Sequence, residues 1–214
     1  MLVINYNECE NSDYVIFDKI KQKISTNITF RPGLRFSSLD IEDGVSDTRN
    51  ISFDSSIGIT LGVEAEFILP FNNDTWSIII EPTYQYLDTE QTKQTDEISG
   101  GVLISKIDYK SIELPIGIRH YFYFKDKSKL FANISYVLDF QSNSTLEFLR
   151  NDGSTLSEFE INSTGNLALG LGYKYHNKYS LEIRFNTNRS LLGESVTVDP
   201  EYNSLNLIFG YTIF

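Results

Sequence analysis

Eight stretches of this 214-residue chain alternate apolar and polar residues with a period of two. That period places successive side chains on opposite faces of an extended strand, so each stretch reads as a strand with one apolar and one polar face. The connections between them are equally ordered. Three are short, at residues 70–74, 125–128 and 176–178, and four are long and polar, at 40–54, 88–103, 142–158 and 188–203. Long and short alternate along the chain. Strands joined in this way run antiparallel beside their sequence neighbours, and eight of them suffice to close a sheet on itself.

The registers can be read strand by strand. In strand one, residues 24–39, Ile28, Phe30, Pro32, Leu34 and Phe36 oppose Thr29, Arg31, Gly33 and Arg35. Strand two, 56–69, sets Ile57, Ile59, Leu61, Val63 and Ala65 against Gly58, Thr60, Gly62, Glu64 and Glu66. Strand three, 76–86, places Trp76, Ile78, Ile80, Pro82 and Tyr84 against Ser77, Glu81, Thr83 and Gln85; Pro82 lacks a ladder donor, so a bulge or break is expected there. Strand four, 111–122, sets Ile112, Leu114, Ile116, Ile118 and His120 against Glu113, Gly117 and Arg119. Strand five, 130–141, sets Leu130, Ala132, Ile134 and Leu138 against Asn133, Ser135 and Asp139. Strand six, 161–175, carries Ile161, Leu167, Leu169 and Leu171 on its apolar side. Strand seven, 179–186, opposes Leu181 and Ile183 to Glu182 and Arg184, and strand eight carries Leu205 to Ile213. Asn151-Asp152-Gly153 extends the third long connection as a hairpin. Residues 1–23 show no clean period and read as a leader, or the tail of an upstream region, with a short apolar stretch over 14–17; residues 24–214 form the barrel domain.

Which face points outward decides the environment. No window approaches the roughly 18 uncharged apolar residues of a spanning helix. An inward apolar face would give a soluble, lipocalin-like carrier. Its interior would have to hold several large residues from every strand, more than an eight-stranded barrel accommodates. Its exterior would be glycine and serine with few lysines. An outward apolar face instead meets hydrocarbon, where closure of the sheet is obligatory because no water satisfies a free edge. Aromatics make 14% of the chain and cluster toward strand ends, as interfacial girdles do. Short turns then face the periplasm, long loops the exterior, and both termini the periplasm.

With the polar face inward, strand parity aims Arg31, Arg35, Glu64, Glu66, Glu81, Glu113, Arg119, Glu182 and Arg184 into a narrow lumen. Four arginines against five glutamates nearly balance. Buried charges persist only when paired and hydrogen-bonded, so the set reads as a structural plug rather than an ion path or proton relay, with little or no open pore. Catalysis is not expected: the two histidines, His120 and His176, fall toward the short-turn end, one on the apolar face and one in a turn. Neither a cofactor nor a metal is expected. The acidic loops, with Asp40, Glu42, Asp43, Asp47, Asp88, Glu90, Asp96, Glu97, Glu194, Asp199 and Glu201, match neither an EF-hand nor a zinc spacing and read as solvated surface. Cys9 is the single cysteine, which excludes an internal disulfide. A formal charge of −11 argues against nucleic acid as a partner.

The layout resembles the small eight-stranded outer-membrane barrels, the group that includes the OmpA transmembrane domain and OmpX. The stretch Ser111-Ile112-Glu113-Leu114-Pro115-Ile116-Gly117-Ile118-Arg119 is similar to the strand common in the outer membrane protein beta-barrel domain and PorT-like families of Bacteroidetes. The resemblance covers roughly residues 24–214. It implies a place in the bacterial outer membrane with a structural or surface-interaction role. The implied partners are outer-membrane lipid, lipopolysaccharide, the barrel-insertion machinery, and an extracellular or periplasmic protein. A role in secretion or envelope assembly is the alternative that the PorT-like likeness implies. Such barrels often end on a lipid-facing aromatic; here the outward series stops at Ile213, and Phe214 falls on the opposite register. Export requires a signal peptide, and residues 1–7 lack its basic start and apolar core, so the native N-terminus is expected to lie upstream of Met1.

Overall fold

The computed structural model describes residues 23–43, 50–125, 127–192 and 198–214. Most of the expected leader, with Cys9 and the apolar stretch at 14–17, lies outside them, as do Asp47, Asp126 and Glu194. Eleven strands are present among the described residues: β1 (Ser25–Asp43), β2 (Ile51–Ile68), β3 (Trp76–Ile80), β4 (Thr83–Gln94), β5 (Val102–Lys125), β6 (Ser128–Gln141), β7 (Thr145–Arg150), β8 (Thr155–Glu160), β9 (Asn166–Tyr175), β10 (Tyr179–Ser190) and β11 (Val198–Thr212).

Eight staves close a ring. β1 pairs with β2, β2 with β3 and β4, and these with β5. The ring continues through β6, β9, β10 and β11 back to β1, every pairing antiparallel. β3 and β4 together form the third stave. Its break falls at Glu81–Pro82, where the proline has no N–H to give; the neighbouring strands bridge the gap through Val63 N–H to Pro82 O (3.1 Å) and Glu81 N–H to Pro115 O (3.0 Å). A 3₁₀ turn at Asn72–Asp74 joins β2 to β3, with Asn73 at φ 57°, in the left-handed region asparagine tolerates. The short turns and both described chain ends lie at one end of the ring.

The outer wall carries an apolar belt. Ile57, Ile59, Leu61, Ile118, Ile134, Leu171, Leu181 and Ile183 are exposed there, Leu171 at 71%. β9 is ten residues long, the length a tilted strand needs to cross the hydrocarbon. A soluble carrier with these residues inside is excluded. At the terminal end the belt finishes in Phe122, Phe124, Tyr173, Tyr175 and Tyr179, and at the other in Phe36, Tyr84, Tyr86 and Phe140, all exposed. Phe214 and Ile213 are both exposed beyond the end of β11.

The long connections depart from the expectation. Among their described residues, three of the four are continuations of the staves rather than loops. β1 runs on to Asp43 and β2 resumes at Ile51; β4 extends to Gln94 and β5 begins at Val102; β11 begins at Val198. β7 and β8 form the hairpin expected at Asn151-Asp152-Gly153. In these extensions the two faces exchange character. On β5 the outward residues change from Ile112 to Lys110, Asp108 and Lys106, while the inward ones become Tyr109, Ile107 and Leu103. Leu39, Ile41, Ile51, Phe53, Leu87, Leu103, Ile107, Tyr109, Leu146, Phe148, Ile161, Leu191 and Tyr202 pack into one buried cluster. One wall of this head is β4, β5, β7 and β8; the other is β2, β1, β11 and β10. Ile161, expected on the outer face of strand six, is buried in this cluster because β9 begins only at Asn166.

Candidate functional site: the charged lumen

All nine charged residues assigned to the lumen from the sequence are buried, and they fall into two tiers. In the lower tier Arg31, from β1, meets Glu64 (3.2 Å), Glu81 (3.2 Å) and Glu182. Arg119, from β5, grips Glu64 with both terminal nitrogens, at 2.9 and 2.6 Å, while its Nε donates to Asn133 Oδ1 at 2.8 Å. It also approaches Glu66 (3.3 Å) and Glu182 (3.7 Å). Arg184 bridges Glu81 (2.6 Å) and Glu182 (2.8 Å). Each guanidinium thus spans strands from opposite sides of the ring. The planar fork of arginine suits such multiple carboxylate contacts better than a lysine point charge.

Glycines make the room. A Cβ at Gly170 would lie 2.4 Å from Glu182 Oε1, and one at Gly62 would lie 3.3 Å from Glu81 Oε1 and 2.6 Å from Thr83 Oγ1. The carboxylates therefore occupy space that any other residue on the facing strand would fill.

The upper tier is smaller. Arg35 forms a two-pronged pair with Glu113 and donates from Nε to Asn206 Oδ1 at 2.8 Å. Here the ion network reaches residues that the sequence reading left out. Arg189 pairs with Glu113 at 2.8 Å and approaches Asp139 at 3.9 Å, and its guanidinium lies over the Tyr202 ring at 5.0 Å. The Tyr109 hydroxyl donates to Asp139. Burial, reinforced by the neighbouring carboxylates, pushes the Tyr109 phenol well above its ordinary value, so it remains the donor of that bond. At the other end Lys174 adds a pair with Glu66 at 3.1 Å.

Three kinds of signal separate found from missed residues. Asp139 shared the inward parity of β6. Lys129 and Lys174 lie at strand ends, where the alternation runs into the short turns. Arg189 was unreadable by strict alternation: a register shift between Asn186 and Arg189 in the β10–β11 ladder turns it inward. In the lower tier Arg31, Arg119, Arg184 and Lys174 thus face Glu64, Glu66, Glu81 and Glu182, four against four; in the upper tier two cations face two anions.

The histidines lie apart. His120 is on the outer wall against Trp76 (ring centroids 4.4 Å) and Phe122 (4.7 Å). His176 is in the β9–β10 turn, against Tyr175 at 4.3 Å. Among the described residues no group of three or more histidine, cysteine, aspartate or glutamate side chains is arranged to hold a metal ion.

A family model described as "Outer membrane protein beta-barrel domain" matches residues 18–190. No curated protein matches the chain. Among solved structures, the outer membrane protein OprG from Pseudomonas aeruginosa is 13% identical, with 91% of this chain and 99% of that one covered and a TM-score of 0.47. Ail, the attachment invasion locus protein of Yersinia pestis, solved in complex with the heparin analogue sucrose octasulfate, is 13% identical over 88% of this chain and 99% of its own, TM-score 0.44. The outer membrane protein AlkL, solved in lipid bilayers, is 13% identical over 95% and 96%, TM-score 0.42.

Proposed function

The chain belongs to the outer membrane protein beta-barrel domain family and resides in the bacterial outer membrane, and from that premise we propose that it is a sealed, non-catalytic barrel that carries a folded β head outside the cell. The short turns and both termini face the periplasm, and the outer-membrane lipid and lipopolysaccharide surround the apolar belt. The barrel-insertion machinery places it there, and an extracellular protein engages the head.

The observation that carries this reading is the exchange of face chemistry along single strands. Within the belt β5 is apolar outside and charged inside; above it, the same strand is charged outside and apolar inside. A wall shaped for lipid passes directly into a wall shaped for water. The interior is filled at both levels, by paired ions below and by a hydrocarbon core above, so the product is a rigid display scaffold rather than a conduit. The nine parity-aimed charges act in it as structural struts.

Planar-bilayer recording tests the seal. The full chain reconstituted at single-molecule density is expected to give no steady current. A stable open pore would overturn the sealed-barrel reading.

A further inference from the structure

Every buried charge in the lumen but one has an opposite charge within ion-pair distance among the described residues. The exception is Lys129. It sits on β6, inward and only 6% exposed, directly opposite Lys174 in the β6–β9 ladder and opposite Tyr123 in the β5–β6 ladder. Its Nζ lies 3.8 Å from the centroid of the Tyr121 ring and 5.5 Å from that of Tyr123. Aromatic faces attract the ammonium but carry no net charge.

The nearby carboxylate is already committed. Glu66 accepts from Asn27 (3.1 Å), Ser77 (2.8 Å), Tyr121, Arg119 (3.3 Å) and Lys174 (3.1 Å). With Lys129 counted, the lower tier holds five cations against four carboxylates. A largely buried ammonium is best tolerated when an anion and hydrogen-bond acceptors meet it; here Glu66 and Asp74 act on it only from beyond ion-pair distance, and no described residue accepts a hydrogen bond from it. The surplus sits at the mouth of the ring: Tyr123, beside it, is 53% exposed, and Lys127 in the adjoining turn is exposed.

We propose that this mouth is an oxyanion site, in which the Lys129 ammonium, with Lys174 behind it and Tyr121 and Tyr123 flanking it, takes a phosphate group. Phosphate fits because a lysine offers a compact charge with three donors, which suits a many-oxygen anion approached from one side. The lipid-facing neighbours at this level, Phe122, Leu130 and Tyr173, belong to the aromatic edge of the belt, where phospholipid headgroups lie. A lipid phosphate and free inorganic phosphate share the chemistry. Only the lipid source rests on the membrane placement proposed above; the free-phosphate source does not.

The test uses the full chain with carbon-13-labelled lysine in uncharged maltoside micelles, titrated with inorganic phosphate at constant ionic strength. The ε-methylene resonance that disappears in Lys129→Met identifies the site; Lys129→Gln serves if the methionine variant fails to fold. That resonance is expected to shift saturably, several-fold more than the one lost in Lys127→Met. In phosphatidylglycerol nanodiscs without free phosphate, a resonance already at the saturated position assigns the site to lipid. A resonance at the unbound position that then responds to added phosphate assigns it to the free anion. No saturable shift in either setting overturns the site, whatever the conductance experiment shows about the seal.

Discussion

Replacing Arg119 by methionine is expected to destabilise the barrel by about 3–5 kcal/mol, the usual cost of removing one partner from a buried ion pair. Arg119 has its guanidinium against Glu64, Glu66 and Glu182, all without exposed side-chain surface. Methionine fills similar volume, so packing changes little and the loss is electrostatic. The tier's four carboxylates then pair only with Arg31, Arg184 and Lys174, and Glu64 loses its two-pronged partner inside the barrel. Reversible urea unfolding in lipid vesicles, followed by Trp76 fluorescence, reads the loss. Trp76 is the single tryptophan and packs against His120, on the outer wall of the short-turn half of the ring, so it reports the stave ring itself. A midpoint unchanged in Arg119→Met would show that the tier is not held by its charges.

The second large effect belongs to the head. Phe148 is fully buried and packs edge-on against Phe159 at 6.2 Å between centroids. Phe148→Ala removes a ring from an apolar core, at a cost of about 3–5 kcal/mol. Because β7 and β8 lie above the belt and, among the described residues, pair with the rest of the barrel only through β5, the loss is expected to stay within the head. Amide hydrogen exchange should rise across β7, β8 and the upper part of β5, while the Trp76 unfolding midpoint moves little. Loss of both signals together would mean that head and ring unfold as one unit.

The difference between these two sites mirrors what the sequence could and could not reveal. Within the belt, alternation of apolar and polar residues gives strand identity, facing and the inward side of nine charged residues, because lipid outside and ions inside enforce a single sign of amphipathicity. Pro82 and Asn151-Asp152-Gly153 carry their own local geometry and read correctly. The head escaped for a physical reason: alternation continues through it with the sign reversed. Asp40 outward and Leu39 and Ile41 inward form as regular a strand as Ile28 to Phe36, but a search for an outward apolar stripe reads it as an acidic loop. Phase changes hid more. Register shifts at Ser37/Leu39 and at Asn186/Arg189 bring Phe53 and Arg189 inward against strict parity. A bulge is set by the ladder, not by any residue type at the site, so no single-strand pattern announces it.

The most direct measurement is the depth of spin labels along the outer wall. Single cysteines would replace Ile59 and Leu171, in the belt, and Asp88 and Glu90, above it, with Cys9 changed to serine. Power saturation in lipid bilayers compares access to oxygen, which partitions into hydrocarbon, with access to a water-soluble nickel chelate. Labels at positions 59 and 171 are expected to see oxygen and not nickel, and labels at 88 and 90 the reverse. Nickel access at 59 and 171, or hydrocarbon burial at 88 and 90, would contradict a lipid-facing belt surmounted by a water-facing head.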